Sequence, residues 1–281
     1  MLIFNSHSEL EAHLDALRTS QQVGLVPTMG ALHEGHLSLV QQAMSENQVV
    51  VISVFVNPTQ FNNPEDLQKY PRTLEADVAL LETLNGPLVV YAPTVEDIYG
   101  DHPVATSFDF GGLEHQMEGK FRPGHFDGVG TIVKRLFEIV RPVKAYFGEK
   151  DFQQVQIVKK MVEMTGLPVQ VVECPIMRYE SGLAMSSRNA RLSEEAKAKA
   201  AFIYRTLLQA KALFSTATIE EVEREIEQLY ANEPGFELEY FTIVNQSNLL
   251  HDTEKQAGVT YRAFVTVYLE GVRLIDTMSL N

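Results

Sequence analysis

The chain has 281 residues, 45% hydrophobic and 21% charged, which is an ordinary globular composition and excludes a disordered, collagen-like or coiled-coil chain as a whole. Its 23 basic and 37 acidic side chains give a net charge of −14, a field that repels nucleic acid and anionic membrane surfaces. The single cysteine, Cys174, excludes an internal disulfide and any Cys-rich zinc site.

Residues 1–7 carry no basic region followed by a long apolar run, so no signal peptide is expected and the expected location is cytoplasmic. Residues 23–26 read as a strand, followed by a glycine-containing loop and a helix to about residue 44. Residues 49–56 are apolar almost throughout. That fits a parallel strand covered on both faces and is far short of the about 20 residues a membrane span needs. Asn63-Pro64-Glu65 has the form of an N-cap with proline at the first helical position. Helices are expected over 73–84, 126–140 and 152–165, and strands over 88–91, 144–147 and 169–172. Strands alternating with helices of this length predict an α/β fold. Residues 1–175 are expected to form a doubly wound, Rossmann-like parallel sheet domain, with ligands at the carboxyl ends of its strands.

The pattern changes after residue 175. Ser193 can cap a long helix, and Thr218-Ile219-Glu220-Glu221 is a capping box for another. Strands follow over 237–244, 261–269 and 272–278, the last two joined by a Glu270-Gly271 turn. Residues 176–281 therefore predict a smaller C-terminal α+β domain.

The first chemical signal is PTMGALHEGH at residues 27–36, directly after the first strand. It lacks the lysine of a P-loop, the glycine spacing of a dinucleotide fingerprint and the histidine spacing of a zincin. What it offers is His33 and His36 at i, i+3, on one side of the first helical turn. Gly35 leaves room for a ligand, and the helix N-terminus adds free N–H groups and positive potential. Together these suit phosphate oxygens. The second signal is GLAMSSRN at 182–189, where two hydroxyls and a guanidinium on a segment expected to be flexible suit a polyphosphate. Such a string is also common in ordinary exposed loops. The third, GEKDFQQ at 148–154, ends a strand and opens a helix. Lys150 there can reach a phosphate and Asp151 can cap the helix. The fourth, NPTQFN at 57–62, is a loop dense in amides that can orient a polar substrate or simply form a turn.

These strings, with YPRT at 70–73 and FRPGHFDGV at 121–129, resemble the pantoate–β-alanine ligase (pantothenate synthetase) family, within the superfamily of nucleotidylyltransferases and class I aminoacyl-tRNA synthetases. The resemblance implies an ATP-dependent condensation of pantoate with β-alanine through a pantoyl adenylate, releasing AMP and pyrophosphate, with Mg2+ on the phosphates. It implies an ATP site at Met29, Gly30, Ala31, Leu32, His33, Glu34, Gly35 and His36, in which His36 is the proton donor and His33 holds phosphate. Gly148, Glu149, Lys150 and Asp151 would contact the nucleotide, with Lys150 neutralising phosphate. Met177 would make a backbone contact on the adenine side, and Met185, Ser186, Ser187 and Arg188 would close over the β- and γ-phosphates. Gln60 and Gln154 would bind pantoate, with Gln60 also facing β-alanine. The resemblance further implies a homodimer and a C-terminal domain that acts as a lid.

Three rivals stand beside this reading. One is another adenylyl-transfer enzyme; among these a tRNA synthetase would need an RNA-binding surface, which the charge argues against. Another is a metal-dependent hydrolase built on His33, His36, His125 and Asp127, although no spacing demands a metal and the metal ligands are unassigned. The third is a non-catalytic nucleotide-binding module. The overall charge does not exclude ATP. Residues 119–160 carry nine basic and four acidic side chains, so the region around Lys120, Arg122 and Lys150 is locally positive.

Overall fold

Runs of β-branched and aromatic residues build a six-stranded sheet in the order β1-β4-β3-β2-β5-β6. Its strands are β1 (Leu2–Phe4), β2 (Val23–Thr28), β3 (Val49–Val54), β4 (Leu88–Tyr91), β5 (Lys144–Gly148) and β6 (Gln170–Cys174). Every pairing is parallel. The computed structural model describes residues Met1–Asn281 in two compact units, Met1–Pro175 and Ile176–Asn281, and this sheet is the frame of the first.

The apolar runs have a period of two that the sequence alone conceals. Leu25, Val51, Val89, Tyr91, Ala145 and Phe147 point to one face and join a core with Leu10, Leu14, Phe137 and Val155. The residues between them, Val26, Val50, Ile52, Leu88, Val90 and Tyr146, point to the other and pack with Leu37, Val40 and Leu81. Both faces are therefore covered, as a parallel sheet requires. Each fully buried aliphatic side chain contributes about 1.5–3 kcal/mol.

The helices of this unit are α1 (His7–Leu17), α2 (Glu34–Glu46), α3 (Pro64–Lys69), α4 (Leu74–Glu82), α5 (Val95–Tyr99), α6 (Met117–Phe121), α7 (His125–Val140) and α8 (Phe152–Thr165). Asn63 caps α3 by accepting from the Glu65 amide at 2.8 Å, with Pro64 first in the helix, as its sequence predicts. The sequence pattern predicted no element in the first 22 residues. A three-residue strand has too few positions to show a period, and β1 exists because it pairs with β4. The chain runs from β2 out to β3 and β4, then returns to lay β5 and β6 on the other side of β2. The winding thus reverses between β2 and β5, the place where open α/β sheets bind ligands.

The second unit holds α9 (Glu194–Phe214), α10 (Ile219–Ala231) and an antiparallel meander of β7 (Phe236–Asn245), β8 (Tyr261–Leu269) and β9 (Val272–Ser279). Ile203, Leu207, Val222, Ile226 and Tyr230 from the helices pack against Ile243, Ala263, Val265 and Val267 from the sheet. Thr218 and Glu221 form the expected capping box, and Ser193 caps α9 by accepting from the Ala196 amide at 3.1 Å. Glu270 (φ 51°) and Gly271 (φ 71°) make the left-handed turn between β8 and β9. The Glu270 carboxylate accepts from both the amide and the hydroxyl of Ser193, which ties this hairpin tip to the start of α9.

Candidate active site

Three of the motif-bearing loops leave the carboxyl ends of adjacent strands. Residues 29–36 follow β2, residues 57–60 follow β3, and Glu149–Asp151 follow β5. The first and third flank the reversal of the winding.

The loop after β2 has an unusual backbone. Gly30 (φ 81°) and Ala31 (φ 51°) are both left-handed, and for alanine that conformation costs roughly 1–2 kcal/mol. It exposes two successive amides, Ala31 and Leu32, to the carboxylate of Asp77 at 3.0 and 2.7 Å. Asp77 lies on α4, is only 2% exposed, and also accepts from the Thr73 hydroxyl at 3.2 Å. Hydrogen bonds to a charged group are worth about 1.5–3 kcal/mol each, enough to offset the Ala31 strain. A Cβ on Gly30 would come within 3.0 Å of both Asp77 Oδ2 and Val54 Cγ1, so glycine is required there on two grounds.

The loop delivers both histidines to the start of α2. His33 is the N-cap: its Nδ1 accepts from the Gly35 amide at 3.1 Å, and its own amide donates to His36 Nδ1 at 3.3 Å. This is a capping box with imidazoles in place of the usual hydroxyl and carboxylate. The ring centroids are 4.1 Å apart, so the predicted juxtaposition is present. Because both Nδ1 atoms accept, both neutral rings carry their proton on Nε2. Burial, then His33 and the Lys150 ammonium, lower His36 from 6.5 to about 3. Burial, then Lys150, lower His33 to about 4. At neutral pH the pair is uncharged, with two Nε2–H donors beside a helix N-terminus and a lysine. That arrangement can hold phosphate oxygens and follow charge as it develops.

The amide loop after β3 is built just as closely. Asn57 Nδ2 donates to Gln60 Oε1 at 3.0 Å and to the Gly128 carbonyl at 3.1 Å, and its Oδ1 accepts from the Tyr99 hydroxyl at 2.6 Å. Gln60 Nε2 contacts Met29 Sδ at 3.2 Å, which links the two loops. His125 Nδ1 donates to the Gln60 carbonyl at 2.8 Å, and Arg122 reaches the same oxygen at 3.4 Å. The FRPGHFDGV string therefore anchors Gln60. No group of three His, Cys, Asp or Glu residues is placed to hold a metal ion, so the reading of His33, His36, His125 and Asp127 as a hydrolase centre is corrected.

After β5, Lys150 is half-buried, whereas Asp151 is exposed and makes no side-chain cap at α8, contrary to expectation. On α8 the two neighbouring glutamines differ. Gln153 is 3% exposed and commits its side chain to Leu113, Gln116 and Glu118, while Gln154 is half-buried with no such commitment.

In the second unit, Met177 is exposed, and residues 185–188 lie on a hydrogen-bonded segment. The Met185 amide donates to the Met177 carbonyl at 3.0 Å, and Arg178 and Ala184 form a bridge. Ser186 Oγ accepts from the Arg188 amide at 3.3 Å, opening the turn Ser187–Arg191. Within it, buried Asn189 donates to the Ala184 carbonyl at 3.0 Å.

Sequence reasoning gave Asp77 and Tyr99 no role, and read Asn57 only as part of an amide-dense loop and His125 only as a candidate metal ligand, not as the supports of Gln60 that they are. A buried carboxylate four residues after the Thr73 of YPRT was the only local trace of the first.

The family model for pantoate–β-alanine ligase matches residues 2–279. The chain belongs to the pantoate–β-alanine ligase family. It is 52% identical over 282 residues to the pantothenate synthetase of Flavobacterium psychrophilum, covering 100% of both chains. It is 53% identical over 261 residues to that of Christiangramia forsetii, covering 93% of this chain and 92% of the relative. Among solved structures, the Thermus thermophilus pantothenate synthetase superposes with a TM-score of 0.90 at 43% identity, covering 100% of this chain and 99% of the other. The Francisella tularensis pantoate–β-alanine ligase, solved with β,γ ATP and β-alanine, superposes with a TM-score of 0.81 at 37% identity, covering 100% and 98%. No helix in this ligase fold is long and apolar enough to cross a membrane.

Proposed function

We propose that this chain condenses pantoate with β-alanine in a reaction driven by ATP, giving pantothenate, AMP and pyrophosphate. The observation that carries the reading is the neutral His33–His36 pair beside Lys150, at the start of α2, in a chain of this family.

In the first step a pantoate carboxylate oxygen attacks the α-phosphorus. The bond from that phosphorus to the bridging oxygen breaks, and pyrophosphate leaves with the electron pair, forming pantoyl adenylate. The Nε2–H groups of His33 and His36 and the Lys150 ammonium face the charge that accumulates on the phosphate oxygens, with neutral His36 acting as a hydrogen-bond donor to it. In the second step the neutral β-alanine amine attacks the acyl carbon and gives up a proton to solvent, the acyl–oxygen bond to phosphate breaks, and AMP leaves with the electron pair. Gln60 and Gln154 orient pantoate, and Gln60 also faces β-alanine. Positioning and charge stabilisation carry the rate.

The nucleotide site comprises Met29, Gly30, Ala31, Leu32, Glu34 and Gly35 with the histidines, and Gly148, Glu149 and Asp151 with Lys150. The family resemblance assigns ATP contacts also to Met177, Met185, Ser186, Ser187 and Arg188 of the smaller unit, and the part of a lid to that unit. Mg2+ would enter with the phosphates of ATP, as that ion commonly does, and no step is assigned to it. A homodimer formed through the larger unit, supported by the family resemblance, and a cytoplasmic location complete the reading.

The test is pantoate-dependent release of pyrophosphate in the absence of β-alanine, followed by AMP and pantothenate when β-alanine is added. Formation of ADP and phosphate instead would sink the adenylate route.

A further inference from the structure

On the hairpin that leads into Ser186–Arg188, but outside any assigned site, the second unit contains an ion pair between half-buried Arg178 and buried Asp276. Arg178 donates to Asp276 through both guanidinium nitrogens, Nη1 to Oδ2 at 2.6 Å and Nη2 to Oδ1 at 2.9 Å. Asp276 is 3% exposed and its Oδ1 also accepts the Thr277 amide at 2.8 Å. Arg178 Nη1 donates in addition to the Gly182 carbonyl at 3.1 Å, and its guanidinium lies 4.2 Å from the ring centroid of Tyr204 on α9.

Each contact bears on one short hairpin. Tyr179 and Leu183 are joined by a 3.0 Å backbone bond, Arg178 bridges Ala184, and the Met185 amide meets the Met177 carbonyl. Gly182 turns the hairpin at φ 91°, where a Cβ would lie 2.3 Å from the Tyr204 ring, so the loop is seated directly on that ring. One arm of the hairpin carries Arg178. The other runs straight into Met185, Ser186, Ser187 and Arg188.

An ion pair with its carboxylate buried is a poor way to gain stability, because apolar residues of similar size commonly do as well. Its usefulness lies in geometry. A planar guanidinium held at Asp276, Gly182 and Tyr204 together defines both the position and the rotation of the hairpin, which a lysine point charge does not.

We propose that Arg178 and Asp276, braced by Tyr204, are positioning residues that set the orientation in which Ser186, Ser187 and Arg188 meet the phosphates of ATP. This rests on the ATP-dependent ligase reading above. The test is steady-state kinetics of the full chain with ATP, pantoate and β-alanine varied in turn, for Arg178→Lys, Asp276→Asn and Tyr204→Leu, with folding checked by circular dichroism and melting. The expected result is a KM for ATP raised about 10-fold or more, in line with the cost of a misplaced binding group, with KM for β-alanine within about twofold. Tyr204→Leu keeps the ion pair and so serves if the charge variants fail to fold. Folded variants whose KM for ATP and kcat stay within about twofold of wild type, with only melting affected, overturn the proposal. Arg188→Ala separates the layers. If it raises KM for ATP while the folded clamp variants do not, this inference alone fails. A wild-type chain that makes no AMP removes the ligase reading, and this inference with it.

Discussion

Asp77 accepts the amide of Ala31 at 3.0 Å from 46 residues further along the chain. It thereby holds a non-glycine residue in the left-handed region at the entrance to the helix that carries His33 and His36. The carboxylate fixes the loop through the backbone amides of Ala31 and Leu32, and not through their side chains.

Removing that anion should be costly. Asp77→Ala leaves the amides of half-buried Ala31 and Leu32 without their acceptor, at up to about 1–3 kcal/mol each, and releases the Ala31 strain in an unsupported loop. We expect a loss of roughly 2–4 kcal/mol in urea unfolding monitored on the larger unit, and weaker ATP binding in whatever remains folded. A variant with unchanged unfolding would show that the loop stands without it.

The histidine pair should divide its roles. His36→Ala removes an Nε2–H donor from developing charge and should lower the rate of pantoate-dependent pyrophosphate release by about 100- to 1000-fold. His33→Ala removes a donor and also the N-cap of α2, so it should lose about 1 kcal/mol of stability, more than His36→Ala, which gives up only the longer 3.3 Å bond from the His33 amide. Equal effects of the two on melting would contradict this division.

The same pair predicts a pH dependence of stability. Both imidazoles sit below their unfolded value of 6.5, His36 at about 3 and His33 at about 4. The unfolded chain therefore takes up protons first as the pH falls. Their contribution to stability is complete above pH 6.5 and is lost as the pH falls from there through 4 and 3. Unfolding free energy measured between pH 7.5 and 4 should fall more steeply for wild type than for a His33→Gln/His36→Gln variant. Nitrogen-15 NMR at neutral pH should find both rings protonated on Nε2 only.

Gly128 gives a separate handle on pantoate. A Cβ there would lie 2.3 Å from the Thr59 carbonyl oxygen and 2.7 Å from the Gln60 Cα, so Gly128→Ala must push the 58–60 turn outward. We expect KM for pantoate to rise about 10-fold or more while KM for ATP changes little. A selective rise in KM for ATP would instead detach Gln60 from pantoate.

How much of this was legible in the chain follows the range of the forces involved. Period, capping and turn chemistry act over a few residues. Apolar runs at 49–54 and 88–91, Asn63, Ser193 and Thr218 as caps, and the Glu270-Gly271 turn therefore determined the elements of both units directly. So did the i, i+3 spacing of His33 and His36, because a helix start places those rings together wherever it is packed. The strand order, the short β1, the Asp77–Ala31 bond, the anchoring of Gln60 by His125 across 65 residues and the Arg178–Asp276 clamp across 98 belong to the tertiary structure alone. They are contacts between segments that have no reason to meet until the sheet and its helices are packed. Only that packing depresses the histidine pKa values, since burial, and not the residue type, removes the water that would otherwise stabilise the charge.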